Sequence, residues 1–200
     1  AAAGGRDKVT LLSAPALAAF EPWVEQLVAE STGKGGRGLV PILGEEPRDP
    51  ARYPKDRIFV AMQSQDAPDA GLARRVDALA AAGHPVIQFT WPDREAVMGE
   101  AMRWFVATVL LGAALRVNPF DEPNVQESKD RTKAILERYL RVGEWPAESS
   151  ATARSPEAYT PAVRELIARA APGGYIAVLS YLPRTPRLDA EVLAFRARLA

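Results

Sequence analysis

The sequence predicts an α/β fold of three layers, α-β-α, around a mainly parallel five-stranded sheet. Short apolar runs alternate along the chain with longer segments of helical periodicity, which is the element order of βαβ units. Each run is apolar at nearly every position, as is typical of parallel strands covered on both faces. The 200 residues suffice for one domain with a sizeable core.

The first βαβ unit is predicted to end at Leu43. Lys8–Ala14 is an apolar run with a polar start and is predicted as a strand. Pro15 suits the first turn of a helix, and the predicted helix Pro15–Glu30 carries an apolar face. That face consists of Leu17, Phe20, Val24, Leu27 and Val28. The glycine-rich loop Ser31–Gly38 then leads into the second strand, Gly38–Leu43.

Two further strands follow a polar, proline-rich segment, Glu45–Asp56. The apolar run Arg57–Met62 is the third predicted strand. A helix from Pro68 to Ala82 ends at Gly83, because glycine is the residue type that most often closes a helix. Pro85–Thr90 is the fourth predicted strand.

A long helix is predicted over Asp93–Val117, and its second half is apolar nearly all round. Arg103 is the only charged residue between Ala101 and Leu115. Those fifteen residues are too few to cross a bilayer, since a transmembrane helix needs about 20. We therefore expect a central helix that is either buried or covered by a partner.

The C-terminal part of the chain supplies the fifth strand and further helices. The predicted helix Asn124–Leu140 precedes a polar stretch, Gly143–Ser155. Pro156–Ala171 is predicted to be helical, Tyr175–Leu182 is the fifth strand, and Pro186–Leu199 is an amphipathic helix.

The composition excludes several classes of function. The 25 Lys and Arg residues balance the 25 Asp and Glu residues, so no net charge draws the chain to nucleic acid or an anionic membrane. The chain has no cysteine for a disulfide or a thiolate site, and its single histidine, His84, argues against a zinc centre. We expect no metal, no cofactor and a cytoplasmic location, with a structural role for His84.

The segment Asn118–Lys129, N-P-F-D-E-P-N-V-Q-E-S-K, combines a corner with the start of a helix. Asn124 is predicted as the N-cap with Glu127 at the third helical position, as in a capping box. Lys129 shares a helical face with Val125, Thr132, Leu136 and Tyr139, so it is predicted to lie along a buried stripe. Spacing alone leaves two interpretations of Lys129: a stem on apolar surface with its ammonium in water, or a functional group.

Two segments together resemble glucose-6-phosphate isomerases. Asn118–Lys129 resembles the family's lysine-bearing signature, in the variant found in bifunctional transaldolase/glucose-6-phosphate isomerases. Glu30-Ser31-Thr32-Gly33-Lys34 and the glycine-rich loop after it resemble the family's E-S-x-G-K segment. The resemblance covers essentially the whole chain but only the second half of the family's isomerase region. It implies that residues 1–200 form the second SIS-type, flavodoxin-like domain of a longer chain.

The resemblance also implies the chemistry. The family interconverts glucose 6-phosphate and fructose 6-phosphate, in glycolysis and gluconeogenesis, by moving a proton between C1 and C2 through an enediol. Glu30 would be the catalytic base, tuned by burial near a helix end, and Lys129 would assist ring opening and stabilise developing negative charge. The implied substrate-binding residues are Ser31, Thr32, Gly33, Lys34 and Gln126. Because Glu30 precedes its strand, the site would lie at the side of the domain rather than beyond the strand ends.

The implied partners are a phosphosugar substrate, the other domains of the parent chain and further copies of the chain. The family's first SIS domain, its transaldolase barrel and its ring-opening histidine have no counterpart here, so this chain alone is expected to be inactive. Two alternatives stay open. One is a non-catalytic SIS module that binds phosphosugars, and the other is a scaffold in which Ala101–Leu115 packs a partner.

Overall fold

A computed structural model of the chain describes residues 5–145, 156–170, 174–177, 182–183 and 185–199. The contacts within the chain divide it into two units, Ala1–Gly143 and Glu144–Ala200. The first unit contains the sheet and both of the motif segments. The second contains the helices α5, Pro156–Ala168, and α6, Pro186–Leu199.

A parallel sheet of four strands forms the centre of the first unit. The strands are β1, Lys8–Ser13; β2, Val40–Ile42; β3, Arg57–Ser64; and β4, Val86–Trp91. Their order across the sheet is β2-β1-β3-β4. In register, Lys8 lies opposite both Val40 and Arg57. The first four predicted strands are thus confirmed.

The fifth predicted strand, Tyr175–Leu182, is not found among the described residues. Positions 174–177 have no regular secondary structure, residues 178–181 lie outside the described part of the chain, and Leu182 is in a bend. The α/β class with a parallel sheet is confirmed, whereas a count of five strands is not.

Four helices complete the first unit. They are α1, Glu21–Thr32; α2, Ala70–Ala81; α3, Val97–Leu115; and α4, Pro123–Val142. The predicted helix from Pro15 instead begins as a 3-10 helix, Pro15–Phe20. Asp69 caps α2, since its carboxylate accepts a hydrogen bond of 2.8 Å from the Leu72 backbone N–H.

Both faces of the sheet carry a hydrophobic core, as expected for parallel strands. Successive residues of β3 alternate between the two faces: Val60 and Met62 belong to one cluster, Phe59 and Ala61 to the other. The first cluster also contains Val9, Leu11, Leu17, Val24, Val28, Leu39, Trp91 and Trp104. The second also contains Leu12, Tyr53, Val76 and Leu79. The sheet is therefore covered by α1 and α3 on one side and by α2 on the other.

Helix α3 buries one narrow stripe, spaced four residues apart, and packs on α1. The buried stripe consists of Glu100, Trp104, Thr108 and Gly112. Large apolar side chains on the rest of the helix are exposed: Val97, Met98, Met102, Phe105, Val106, Val109 and Leu110. Of the two expected alternatives, a helix buried on all sides is not found in the described structure, because only one helical face meets the core, and cover by a partner stays a prediction.

The length argument against a membrane-spanning helix is also wrong. The continuous helical segment Arg94–Leu115 has 22 residues and a hydropathy of 1.3. By length and composition alone it suffices to cross a bilayer. The same length and composition occur in core helices of soluble proteins, and α3 shares the core with α1 through Trp104.

The carboxyl group of Glu100 is buried in the stripe of α3 that faces the core. Its Oε1 lies 3.0 Å from Arg103 Nη2, while its Oε2 is buried without a hydrogen-bond partner. Burial raises the pKa of Glu100 above its ordinary value of 4.5, and the positive charge of Arg103 offsets part of the rise. The folded protein therefore holds this proton more tightly than the unfolded chain does.

The raised pKa of Glu100 predicts that the effect of Glu100→Gln on stability depends on pH. Above pH 4.5 the folded state binds more protons than the unfolded state, so the wild type loses stability as pH rises to the raised pKa. The Gln variant lacks this loss. The free energy of unfolding of Glu100→Gln, relative to that of the wild type, is therefore expected to increase as pH rises. Urea unfolding at pH values between about 4 and about 8 measures this difference. Glu95→Gln, at an exposed position, is the control; pH profiles that run parallel for wild type and Glu100→Gln would contradict the prediction.

Candidate functional site

The two motif segments are in contact although they are far apart in the sequence. The end of α1 and the loop after it meet the connection between α3 and the first turn of α4. Asn124 Nδ2 donates a hydrogen bond of 3.1 Å to the Gly33 carbonyl. Arg37 Nη1 donates one of 3.1 Å to the Leu115 carbonyl at the end of α3. We call this contact region the motif junction; it comprises residues 30–37 and 115–129.

Lys34 makes the most extensive contact in the motif junction. Its Nζ donates to the Asn118 carbonyl at 2.6 Å, to the Asp121 carbonyl, and to Asp121 Oδ1 at 2.7 Å. The Lys34 side chain is only 8% exposed. An ammonium has three N–H donors, so a bond from Lys34 to a substrate would require one of these contacts to break. In the structure Lys34 connects two segments of the protein, and its binding of substrate stays a prediction.

The glycines around Lys34 allow a tight turn in the loop after α1. Gly35 and Gly36 both have positive φ angles, 59° and 71°, between the paired residues Lys34 and Arg37. Two left-handed residues in succession form the kind of turn that glycine favours. At Gly33 a Cβ would lie 2.6 Å from the Ala29 carbonyl oxygen, so a larger residue cannot follow α1 without moving the backbone.

Thr32 and Gly33 are also used inside the fold. The Thr32 hydroxyl is fully buried; it donates to the Val28 carbonyl at 2.8 Å and accepts from the Leu39 backbone N–H at 3.2 Å. The Gly33 backbone N–H donates to the Ala29 carbonyl at the end of α1, and the Gly33 carbonyl accepts a hydrogen bond from the Asn124 side chain. Their polar groups stabilise the end of α1, and the binding of substrate by either residue stays a prediction.

The start of α4 differs from the predicted capping box. The helix begins at Pro123, a residue favoured in the first helical position, and the preceding Glu122 makes no capping hydrogen bond with its side chain. Asn124 is already inside the helix, and its amide binds Gly33 instead of a backbone N–H of its own helix. The predicted Asn124 N-cap is therefore wrong. The corner before it is confirmed, since Asn118 Oδ1 accepts from the Phe120 N–H at 3.0 Å in an Asx turn.

Helix α4 contains no buried residue, so the predicted buried stripe beside Lys129 is not found in the described structure. Lys129 is exposed, and so are Val125, Thr132 and Leu136 on its face, while Tyr139 is half-buried. The amphipathic period is confirmed, but among the described residues no side chain on this face is fully buried. The ammonium of Lys129 stands in a solvent-accessible position.

Glu30 is exposed on the last turn of α1, where Gln26 Nε2 lies 3.4 Å from its Oε1. The expected burial of this carboxylate is therefore wrong. Ser31 beside it is half-buried. Gln126 is exposed on the first turns of α4, and its amide donates to Asp130 Oδ1 at 2.9 Å. Of the predicted site residues, these three and Lys129 keep polar groups at the surface of the motif junction.

Helix geometry limits how Glu30 and Lys129 are placed. Glu30 lies three residues before Gly33, and Lys129 lies five residues after Asn124, the residue that binds Gly33. At 1.5 Å per residue, Lys129 is about 7 to 8 Å along α4 from that contact, and at 100° per residue it is about 140° around the helix from Asn124. The rotation of α4 about its axis therefore decides whether the ammonium faces the carboxylate.

Serines stand at the carboxyl ends of β1 and β3, the edge of the sheet where ligands of open α/β sheets usually bind. Ser13 Oγ donates to Glu21 Oε1 at 2.6 Å, and Ser64 is fully buried. Burial raises the pKa of Glu21, and the hydrogen bond from Ser13 offsets part of this. The Ser13 hydroxyl thus connects β1 to α1, whereas the Ser64 hydroxyl is buried without a hydrogen-bond partner among the described residues.

His84 has the structural role that was expected. Its Nε2 lies 2.9 Å from the Pro50 carbonyl oxygen. Its ring packs edge-on against Phe59 and Tyr53, with centroids 5.4 Å and 6.0 Å apart. These contacts hold the half-buried ring against two aromatic side chains of the core.

Arg116 forms the C-cap of α3 in a left-handed conformation, with φ 57° and ψ 45°. It is the one residue other than glycine with a positive φ among the residues that the structure describes. A side chain in this conformation is strained, so Arg116→Gly is expected to raise the free energy of unfolding by about 1 kcal/mol. Urea unfolding measures the change. Arg116→Ala keeps the strain and should give no such gain; equal stabilities of the Gly and Ala variants would contradict the explanation.

Sequence patterns alone did not indicate Asp121 and Arg37, which hold the motif junction together with Lys34. Only the turn-forming residues around Asp121 signalled that the chain changes direction there. The junction carries an exposed carboxylate, an exposed ammonium and an exposed amide, those of Glu30, Lys129 and Gln126. No protein-family model matches this chain, and no curated protein matches it.

Proposed function

We propose that the motif junction is the isomerase site of a sugar-phosphate aldose–ketose isomerase, acting between glucose 6-phosphate and fructose 6-phosphate. The observation that supports this is the contact between the two segments that resemble the isomerase family. Gly33 and Lys34 of the first segment bind Asn124, Asn118 and Asp121 of the second. Segments that resemble two parts of one active site are thus joined by direct hydrogen bonds.

The proposed chemistry needs only a base and a nearby positive charge. Glu30 removes the proton from C2 of the open-chain aldose and returns it to C1 of the enediol, so no net proton is gained or lost. Lys129 stabilises the negative charge that develops on the oxygens at C1 and C2 and assists ring opening. Gln126 and Ser31 bind hydroxyl groups of the sugar in this proposal. No metal or redox cofactor takes part in the proposed mechanism.

The exposure of Glu30 indicates what the site still requires. A carboxylate in water is a weak base for a carbon acid, and exclusion of water strengthens both the base and its electrostatic partner. We propose that another domain of a longer parent chain covers the junction and supplies the phosphate-binding and ring-opening groups. This chain alone is then inactive or nearly so, while the parent protein is active in the cytoplasm, with transaldolase activity if it carries the fused barrel.

A second candidate function is a SIS-type module that binds phosphosugars without chemistry. The exposed position of Glu30 favours it, because binding a sugar hydroxyl does not require a desolvated carboxylate. In this case the junction binds the same ligand, but no proton leaves the sugar.

One experiment separates the two functions. The full gene product and the 200-residue chain are incubated with fructose 6-phosphate in D2O, and carbon-bound deuterium is followed by NMR. The isomerase proposal predicts deuterium at C1 of fructose 6-phosphate and C2 of glucose 6-phosphate with the full product. Ligand binding without deuterium incorporation by the full product would favour the module. Neither binding nor incorporation would refute both.

A further inference from the structure

The corner between α3 and α4 is held from two sides. On one side, the buried ammonium of Lys34 binds the Asn118 and Asp121 carbonyls and the Asp121 carboxylate. On the other side, the ring of Pro119 rests on Gly112 of α3, where an added Cβ would lie 2.9 Å from Pro119 Cδ. A point charge with three donors can hold three oxygens of one turn at once, which no neutral side chain of similar size does.

The corner sets the direction in which α4 leaves the sheet. Pro123, the first residue of α4, follows Asp121 by two positions, so little chain separates the clamped carboxylate from the helix. Beyond the corner, α4 contacts the end of α1 through the hydrogen bond from Asn124 to Gly33. Since α4 has no buried residue, the corner and this bond are the contacts that fix its rotation among those described. That rotation decides where Lys129 points.

We propose that Lys34 is a positioning residue: its ammonium clamps the Asn118–Asp121 corner and so fixes the direction and rotation of α4, the helix that carries Lys129. This inference rests on the proposed function for its consequence in catalysis. It assigns to Lys34 a role through other residues and no contact with the substrate.

The mechanical part is tested by a distance that needs no activity. Because the chain has no cysteine, Gln26→Cys on α1 and Ala134→Cys on α4, both exposed, place two unique spin labels. Lys34→Met removes the ammonium and keeps an apolar stem. It is expected to broaden and shift the distance distribution between the labels, while Lys133→Met, an exposed lysine on α4, leaves it unchanged. An unchanged distribution in Lys34→Met would overturn the proposal.

Two further variants keep this test valid if Lys34→Met folds poorly. Gly112→Ala pushes Pro119 from the opposite side and leaves Lys34 intact, so it should also shift the distribution. Asp121→Asn removes the carboxylate charge and keeps the carbonyl contacts, so its effect should be intermediate. If Gly112→Ala shifts the distance and Asp121→Asn does not differ from wild type, the corner matters but the Lys34 clamp does not, and the proposal fails.

The catalytic part is tested in the full gene product by isomerase kinetics. Since misplacement of a group by about 1 Å costs about 10²-fold, Lys34→Met should lower kcat by about that factor. KM and the shape of the pH profile should stay the same, because Lys34 neither binds substrate nor exchanges its proton. Normal kcat in Lys34→Met, with an active wild type, would overturn the positioning role and leave the isomerase function intact. An inactive wild type would refute the proposed function. The distances between the spin labels would still test whether Lys34 fixes the position of α4.

Discussion

Glu30→Gln is expected to lower kcat/KM for glucose 6-phosphate isomerisation by about 10² to 10⁴-fold in the full gene product, because an amide cannot accept the proton that a general base removes. Circular dichroism and the unfolding midpoint should remain those of the wild type. Glu30 is exposed on the last turn of α1, and its contact with Gln26 is long, so the fold loses little with the charge.

A matched control exists on the same helix. Glu25→Gln, one turn earlier on α1, removes an equal charge from a half-buried position outside the motif junction and should retain wild-type kinetics. Glu30→Asp keeps the base but shortens its reach, so it should retain more activity than Glu30→Gln. Near-normal turnover in Glu30→Gln would remove this residue from the role of base.

Lys129→Met is expected to lower kcat/KM by about 10² to 10³-fold, since the loss of one preorganised group at a developing oxyanion has this cost. Lys129→Arg restores the positive charge with a different shape and should recover part of the loss. Steady-state kinetics of the full gene product measure both.

Lys133→Met separates a local role of Lys129 from a general effect of positive charge on α4. Lys133 lies one turn further along the helix, is 76% exposed and pairs only weakly with Glu137 at 3.9 Å. It should leave the kinetics unchanged. Equal losses in Lys129→Met and Lys133→Met would show that the charge of α4 steers the substrate and that Lys129 has no specific part in the reaction.

The sheet was the most predictable part of the fold. Lys8–Ala14 and Arg57–Met62 were recognised because parallel strands covered on both faces are apolar without interruption. The structure confirms both as β1 and β3. The ends of the strands were less predictable. The strand β3 continues to Ser64 because Ser64 pairs with Trp91 of β4. A pattern within one segment does not contain this pairing between two segments.

The candidate site was predictable as a pair of segments but not in its details. The motifs indicated that residues 30–34 and 118–129 belong together, and the hydrogen bond from Asn124 to Gly33 joins them. The contacts of Thr32 and Lys34 could not be predicted. The sequence does not show whether a hydroxyl or an ammonium binds a ligand or a backbone carbonyl of the protein itself. Only the partners of Lys34 at Asn118 and Asp121 distinguish the two cases.

Burial of α4 was predicted wrongly for a physical reason. An amphipathic period shows that one face is apolar, but it does not show what covers that face. Leu136 and Leu140 remain 48% and 74% exposed in the described structure. An apolar face of this kind agrees with the proposed cover from another domain, which the sequence of α4 alone does not identify.

The most direct test of the central claim is a titration of the ¹⁵N-labelled 200-residue chain with fructose 6-phosphate, followed by amide chemical shifts. NMR detects weak binding, so the test does not depend on catalytic activity or on the other domains. A single site shared by both motifs predicts shifts at the end of α1 and in the first two turns of α4 that follow one binding curve, with the same dissociation constant. Shifts confined to the carboxyl ends of β1 and β3, or to one motif without the other, would contradict it.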